Sequence, residues 1–324
     1  MQMGMKQAPL FNSEDHVISD GDTNFEPLQA DFVETSQWQG YIHGKAASTI
    51  WSWDRSYDKT SGFYGTVDCR PDVIAKVGHT NFDANRVAYE IESIVEKEPE
   101  IALITSTNAR VFSLLYMNSQ YKAYTNLLYN GQKVRFIPES QMDQLKDYKA
   151  LVLTNLNNVK YSTLMEIKEF ADNGGKILML GDDCIKYNEY NEPHPQDIVA
   201  AIRAKSQIVP TTDDGLLITS PTEDEYFNLM ANLAKEINED KVVVIDTKTG
   251  DRVRDVEITY ASHNGSIVLN MANYSYDLEP KKVKIFVNGQ EVNEMYNLRR
   301  EYQMTGEVEL QRYQPVFVRI DANL

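Results

Sequence analysis

IALIT (Ile101–Thr105), KVRFI (Lys133–Ile137), ALVL (Ala150–Leu153) and ILML (Ile177–Leu180) are four short apolar runs, each bounded by polar or turn residues. Runs of this length, separated by stretches with helical periodicity, read as strands of a parallel sheet covered on both faces. Between the first two, Leu114, Met117, Tyr121, Tyr124 and Leu128 recur at spacings of three and four, marking one face of a helix that Asn130-Gly131 closes. Leu164, Ile167 and Ala171 do the same in the next connection, which ends at Asn173-Gly174-Gly175. Alternation of strand and helix through residues 98–240 predicts an open α/β domain of the flavodoxin or Rossmann type.

On either side of this core the pattern changes. After residue 240, KVVVID, RDVEITYAS, GSIVLNMAN, KKVKIFVNG and PVFVRID alternate with turn-like TKTGD, HNG and NGQ. Residues 241–324 therefore read as a small all-β domain, a sandwich. Within residues 1–97, PLF precedes the polar cluster Asn12 to His16, Leu28 to Gly44 is helix-compatible, and STIW (Ser48–Trp51) is strand-like. Strand, helix, strand is the simplest organisation of that region. Its chemistry-bearing residues stand where a (β/α)8 barrel puts catalytic groups, at the carboxyl ends of strands: Glu14 after the first strand, Asp54 after the second. All three tryptophans, Trp38, Trp51 and Trp53, fall here as well, and an indole stacks on the apolar face of a sugar while its N–H reaches a hydroxyl.

Totals narrow the function further. Forty-eight acidic against thirty-two basic residues leave a formal charge of −16, which opposes binding to nucleic acid. No apolar run approaches ~20 residues, and the first residues lack the apolar stretch and cleavage site of a secretory leader. A cytoplasmic protein without a membrane span is expected. Two cysteines, Cys69 and Cys184, make neither a disulfide framework nor a zinc site. Neither GxGxxG nor GxxxxGK occurs, so no nucleotide cofactor is expected. Asp182-Asp183 supplies too few oxygen ligands for a cation. The acidic run from Thr222 to Glu225 suits a helix N-terminus.

The run NSEDHVISD, followed by QWQGYIHGKAASTIWSWDRSYD and FYGTVDCRPD, resembles the seventh and eighth barrel strands of family 42-like β-galactosidases. The region from IALITSTNARVF to GGKILMLGDD resembles the same family's trimerisation domain, which has a glutamine-amidotransferase-like fold, and the tail ending in QPVFVRI is similar to its C-terminal β domain. The resemblance implies a C-terminal barrel remnant (1–97), a trimerisation domain (98–240) and a β domain (241–324). It implies that Glu14 is the nucleophile of a retaining glycosidase, that Trp51 floors the sugar site, and that His16, Trp53 and Asp54 line it. The substrate class is a β-glycoside, and the partner is a trimer of this chain or a chain completing the barrel.

A barrel takes about 250 residues, and fewer than 100 precede the α/β domain, so six strands have no sequence to make them, and either another polypeptide completes the barrel or the chain is a fragment or a decayed reading frame. With those strands would come the acid/base carboxylate, which a retaining enzyme holds about 5–5.5 Å from the nucleophile. Glu34 and Asp54 are the other carboxylates considered, and neither matches the acid/base motif. A competing reading makes Cys184 an amidotransferase nucleophile with His194 nearby. The cysteine lacks elbow glycines and follows two aspartates, which disfavour a thiolate, and the NEPHP loop around His194 reads as surface. A third reading is a non-catalytic oligomerisation module.

Overall fold

The computed structural model describes residues 8–17, 27–51, 67–68, 70–113, 115–211, 223–238, 240–277 and 279–324. It divides the chain into two compact units, Glu98–Asp240 and a second made of Ala8–Lys97 together with Lys241–Leu324. In the first segment, β1 (Leu10–His16) and β2 (Lys45–Trp51) pair in parallel and flank α1 (Pro27–Ile42). The strand, helix, strand expected there is present, but it is not the whole of the segment. Two further helices, α2 (Pro71–Arg86) and α3 (Ala88–Glu96), follow. Pro71 opens α2 at a position where its missing N–H costs nothing, and Val73, Val77 and Thr80 give it a buried stripe.

The Glu98–Asp240 unit is a five-stranded parallel sheet in the order β4-β3-β5-β6-β7. Its strands are β3 (Ile101–Thr105), β4 (Val134–Pro138), β5 (Ala150–Thr154), β6 (Lys176–Leu180) and β7 (Ser206–Val209). Four were legible as apolar runs; β7, half-buried at the edge, was not. This is the flavodoxin-like order, which places the first strand beside the third. Alternate residues supply the two faces. Ala102, Ile104, Leu151, Leu153, Ile177 and Met179 pack under α6 (Tyr161–Asp172) and α7 (Gln196–Arg203). Ile101, Leu103, Ala150, Val152, Leu178 and Leu180 pack under α5 (Leu115–Tyr129) and α8 (Glu223–Asn238), and the short α4 (Thr107–Phe112) follows β3. Because both faces are covered, β3 and β5 are buried throughout.

Met117, Tyr124 and Leu128 of α5 pack inward as expected, but the buried face is wider than the apolar spacing showed. Tyr116, Gln120, Ala123 and Leu127 point inward, whereas Tyr121 is exposed and Leu114 lies outside the described residues. The reason is polar. Gln120 Nε2 donates to Ile104 O (2.9 Å), Tyr116 Oη donates to the same carbonyl (2.7 Å), and Ser119 shares a hydrogen bond with Asn155. Burial of hydrogen-bonded polar groups carries no hydrophobic signature.

In the last segment, β8 (Val242–Asp246), β9 (Val256–His263), β10 (Ser266–Asn273), β11 (Lys281–Val287), β12 (Gln290–Glu291), β13 (Glu294–Asn297), β14 (Tyr302–Thr305), β15 (Val308–Leu310) and β16 (Val316–Ile320) form two antiparallel sheets. Their orders are β14-β13-β16-β10-β9 and β12-β11-β15, with β8 pairing β11. Ile267, Leu269 and Met271 of β10 face Val283 and Ile285 of the other sheet in one shared core, the sandwich expected. The intervening Val268 turns to the opposite face. With Phe317 and Ala261 it packs against Trp38 and Ile42 of α1 and Ile91 and Ile94 of α3. Trp38 is fully buried, edge-on to Phe317 at 5.5 Å, and its Nε1 donates to Asn270 Oδ1 (2.7 Å). Each such ring contributes roughly 2–3 kcal/mol by burial.

Electrostatics complete this joint. Glu34 of α1 accepts from Arg299 Nη2 (2.6 Å) and from Lys76 Nζ. Arg299 also donates to Pro315 O (3.0 Å) and Asp83 Oδ2 (3.3 Å), and its guanidinium lies 4.4 Å from the Trp38 ring centre. Among the described residues, no helix is long and apolar enough to cross a membrane.

Candidate functional site

Alternation along β1 decides which of its side chains are available for chemistry. Asp15 and Val17 turn inward and Glu14 and His16 outward. The register with β2 shifts between Asn12, opposite Ser48, and Asp15, opposite Ile50, so three steps on β1 match two on β2. Such a bulge re-aims side chains and is frequent beside active sites. Asn12 stabilises it locally, its Oδ1 accepting from the Glu14 N–H (3.3 Å), the short polar side chain substituting for a ladder partner.

The bulge gathers three of the residues singled out in the sequence. Glu14 Oε1 lies 3.6 Å from His16 Nε2, with both side chains about half exposed. His16 is opposite Trp51 in the parallel register, and their ring centres are 5.9 Å apart at 39°. Carboxylate, imidazole and indole thus share the carboxyl end of one strand pair. Trp53 and Asp54 lie outside the described residues.

Beneath this patch is a set of residues that was not anticipated. Asp15 Oδ2 accepts from Lys45 Nζ (2.7 Å) and Gln37 Nε2 (3.0 Å), and Lys45 also reaches Gln37 Oε1 (3.4 Å). Both members of the ion pair are nearly buried. Gly40 makes room for it: a Cβ there would sit 2.3 Å from Lys45 Cε. Burial, followed by the Asp15 charge, raises the pKa of the adjacent Tyr41. The faint signal was Gln37, Gly40 and Tyr41 at spacings of three and one on the helix following an inward-facing aspartate.

Other candidate groups have different roles. Glu34 is buried. Desolvation alone would raise its pKa, but Arg299 and Lys76 together hold it below the ordinary carboxylate value. A general acid needs the opposite shift, so Glu34 is an anchored anion. Cys184 is wholly buried, with Sγ 3.5 Å from Leu180 O, and burial pushes its pKa up to about 12. It cannot supply a thiolate near neutrality. His194, expected on the surface, is instead buried: its Nε2 contacts Val159 O (3.1 Å), and desolvation lowers its pKa. The loop around it is exposed while the ring points inward. Asp183 pairs with Lys186 (3.0 Å), both exposed. Among the described residues, no cluster of three His, Cys, Asp or Glu could hold a metal.

No family model matches the sequence, and no curated protein matches it. Similarity is found in solved structures. Apo exo-carrageenase GH42 from Bacteroides ovatus aligns with a TM-score of 0.75 and 16% identity over 97% of this chain and 42% of that chain. The catalytic mutant of Gan42B, a GH42 β-galactosidase from G. stearothermophilus, aligns at 0.70 and 14% over 98% and 55%. The β-galactosidase from Bacillus circulans sp. alkalophilus aligns at 0.68 and 13% over 96% and 55%. The chain therefore spans about half the length of the structures it matches. The fold of nearly all of it is that seen in GH42 enzymes, as expected of a C-terminal portion.

Proposed function

We propose that this chain is the C-terminal portion of a retaining glycoside hydrolase acting on β-glycosides of the β-galactoside type, and that Glu14 is its nucleophile. On this reading residues 1–97 carry the closing strands of the catalytic barrel, residues 98–240 an amidotransferase-like trimerisation domain and residues 241–324 the accessory β domain. The observation that carries the proposal is the grouping of Glu14, His16 and Trp51 at the carboxyl ends of two adjacent parallel strands, where barrel enzymes hold their reacting groups.

In the proposed mechanism a Glu14 carboxylate oxygen attacks the anomeric carbon as the glycosidic C–O bond breaks. A separate carboxylic acid protonates the departing oxygen. That second group then takes a proton from water, whose oxygen displaces Glu14 and releases the sugar, two displacements that retain configuration. The acid/base group comes from barrel strands other than β1 and β2. His16 orients the nucleophile through its 3.6 Å approach, and Trp51 offers a ring to the sugar face, with Trp53 and Asp54 completing the lining.

The test is hydrolysis of a panel of aryl β-glycosides by the chain alone and mixed with a polypeptide supplying the remaining barrel strands. Activity on mixing that Glu14→Gln abolishes is expected; activity indifferent to Glu14→Gln would overturn the assignment.

A second reading, a non-catalytic oligomerisation module, is favoured by the exposed apolar side chains of the α/β unit. Val111 and Tyr190 are more than 70% exposed, and Phe112, Tyr121 and Tyr161 are also open. Such rings are concentrated at subunit contacts. Sedimentation separates the two, since a trimer without complemented activity supports the second alone.

A further inference from the structure

The second compact unit carries an aromatic cluster that the Glu14 patch does not use. Tyr276 is 93% exposed and Phe32 44%. Tyr313 links them to the scaffold, edge-on to Phe32 at 5.6 Å and 6.3 Å from Tyr274. The Arg312 guanidinium carbon lies 4.5 Å from the Tyr313 ring centre and 5.9 Å from that of Tyr276, and its Nη2 hydrogen-bonds the Tyr313 hydroxyl (3.0 Å).

Two features mark this cluster as built rather than incidental. Tyr313 has φ of 56°, a region that bulky residues enter only under constraint. It is held there by its N–H donating to Asn273 O (3.0 Å) and its carbonyl accepting from the Thr35 hydroxyl. Strain of this kind is characteristically retained at ligand clamps. In addition, the Arg312 guanidinium is fixed beside the Tyr313 and Tyr276 rings, with Nη2 on the Tyr313 hydroxyl (3.0 Å), so a cation is pre-positioned next to the exposed rings. At the rim, Gln314 Nε2 donates to Asp31 Oδ2 (3.1 Å).

We propose that Phe32, Tyr274, Tyr276, Tyr313 and Arg312 form a saccharide-binding platform. Rings present π faces to sugar C–H groups while the guanidinium, amide and hydroxyls meet sugar oxygens. Tyrosine and arginine are also favoured at protein contacts, but a specific protein interface needs about 800 Å² per partner around an apolar centre. Here the rings are bordered by exposed Asp277 and Glu279, and one sugar residue needs only one or two rings. The platform does not depend on Glu14 being catalytic.

The experiment is affinity electrophoresis of the full chain in native gels containing a neutral β-galactan, a sulfated galactan or dextran. Retardation in a galactan gel is expected, weakened about two- to tenfold by Tyr276→Ala; the readout is binding alone, so it stays separate from the hydrolysis that tests the catalytic reading. Tyr313→Gly removes the ring while accepting the positive φ without strain, so it should lose binding while the chain still unfolds in a cooperative transition. A response to the sulfated polymer alone assigns Arg312 to the anionic group; a response to both assigns it to hydroxyls. Absence of retardation in every gel, or retardation that survives both ring substitutions, overturns the proposal. So does self-association in sedimentation that Tyr276→Ala abolishes, which would make the cluster a protein contact.

Discussion

Replacing Glu34 by Gln tests the joint between the first and last segments of the chain. Glu34 and Arg299 each have side chains only 3% exposed, and their 2.6 Å contact joins residues 265 apart in sequence. Glutamine keeps the volume but withdraws the charge, leaving Arg299 with Asp83 at 3.3 Å as its remaining anionic contact within the joint. Removing one member of a buried pair costs about 3–5 kcal/mol, because the other charge stays desolvated. With a urea m-value near 2 kcal/mol/M, a loss of about 3 kcal/mol shifts the midpoint down by about 1.5 M.

The assay is tryptophan fluorescence in urea. All three tryptophans lie within residues 8–97, which belong to the unit containing the pair, so the signal reports that unit. Direction with pH follows from the depressed pKa of Glu34. The contribution is fully present above the ordinary carboxylate pKa and is lost as pH falls through the lower, folded value. The gap between wild type and Glu34→Gln should therefore narrow on acidification. Arg299→Met and the double variant complete a cycle whose coupling energy should exceed about 1 kcal/mol. A Glu34→Gln midpoint within 0.3 M of wild type, or a gap constant with pH, would refute the reasoning.

Lys45→Met should destabilise the same unit by about 3 kcal/mol by stranding buried Asp15, and Gly40→Ala by less, because the lysine end it displaces can move; chemical denaturation of both variants checks the order. In a Cys69→Ser background, Cys184 should stay unmodified by a thiol reagent at pH 8 until urea is added, its pKa being near 12; stoichiometric labelling of the folded protein would contradict its burial. Glu139 accepts from Ser106 Oγ (2.7 Å), the Lys160 N–H (2.8 Å) and Thr163 Oγ1 (2.9 Å), tying three crossover loops. Glu139→Gln should cost about 1–2 kcal/mol and speed amide exchange at Lys160, while equal exchange rates would count against that role.

Legibility from sequence tracked how purely hydrophobic each element is. β3 and β5 are buried at every position because both faces are covered, and all but their last residues are apolar, so their limits could be read within a residue. The inward face of α5 was read only in part: Met117, Tyr124 and Leu128 pack inward, but Ser119 and Gln120 line it as well, their burial compensated by hydrogen bonds. α2 escaped notice because its buried stripe holds only two apolar side chains, Val73 and Val77, before the polar Thr80. At the candidate site, Glu14, His16 and Trp51, which the structure groups, were singled out through resemblance and strand position. The Asp15, Lys45 and Gln37 support was not, since a charge pair 30 residues apart leaves no local pattern. The inward turn of His194 was equally invisible, depending as it does on a carbonyl 35 residues upstream.

The joining of the first and last segments also has a consequence during biosynthesis. Among the described residues the α/β unit is drawn from the single stretch Glu98–Asp240, and its parallel sheet can assemble once residue 240 has left the ribosome. The other unit cannot. Trp38 waits for Phe317, and Glu34 for Arg299, so its contact order is high and its completion late. Translation at about 5–20 residues per second makes that delay on the order of ten seconds or more. Throughout it the apolar faces of α1 and α3 are uncovered, a window in which a chaperone has more to bind than at any later time.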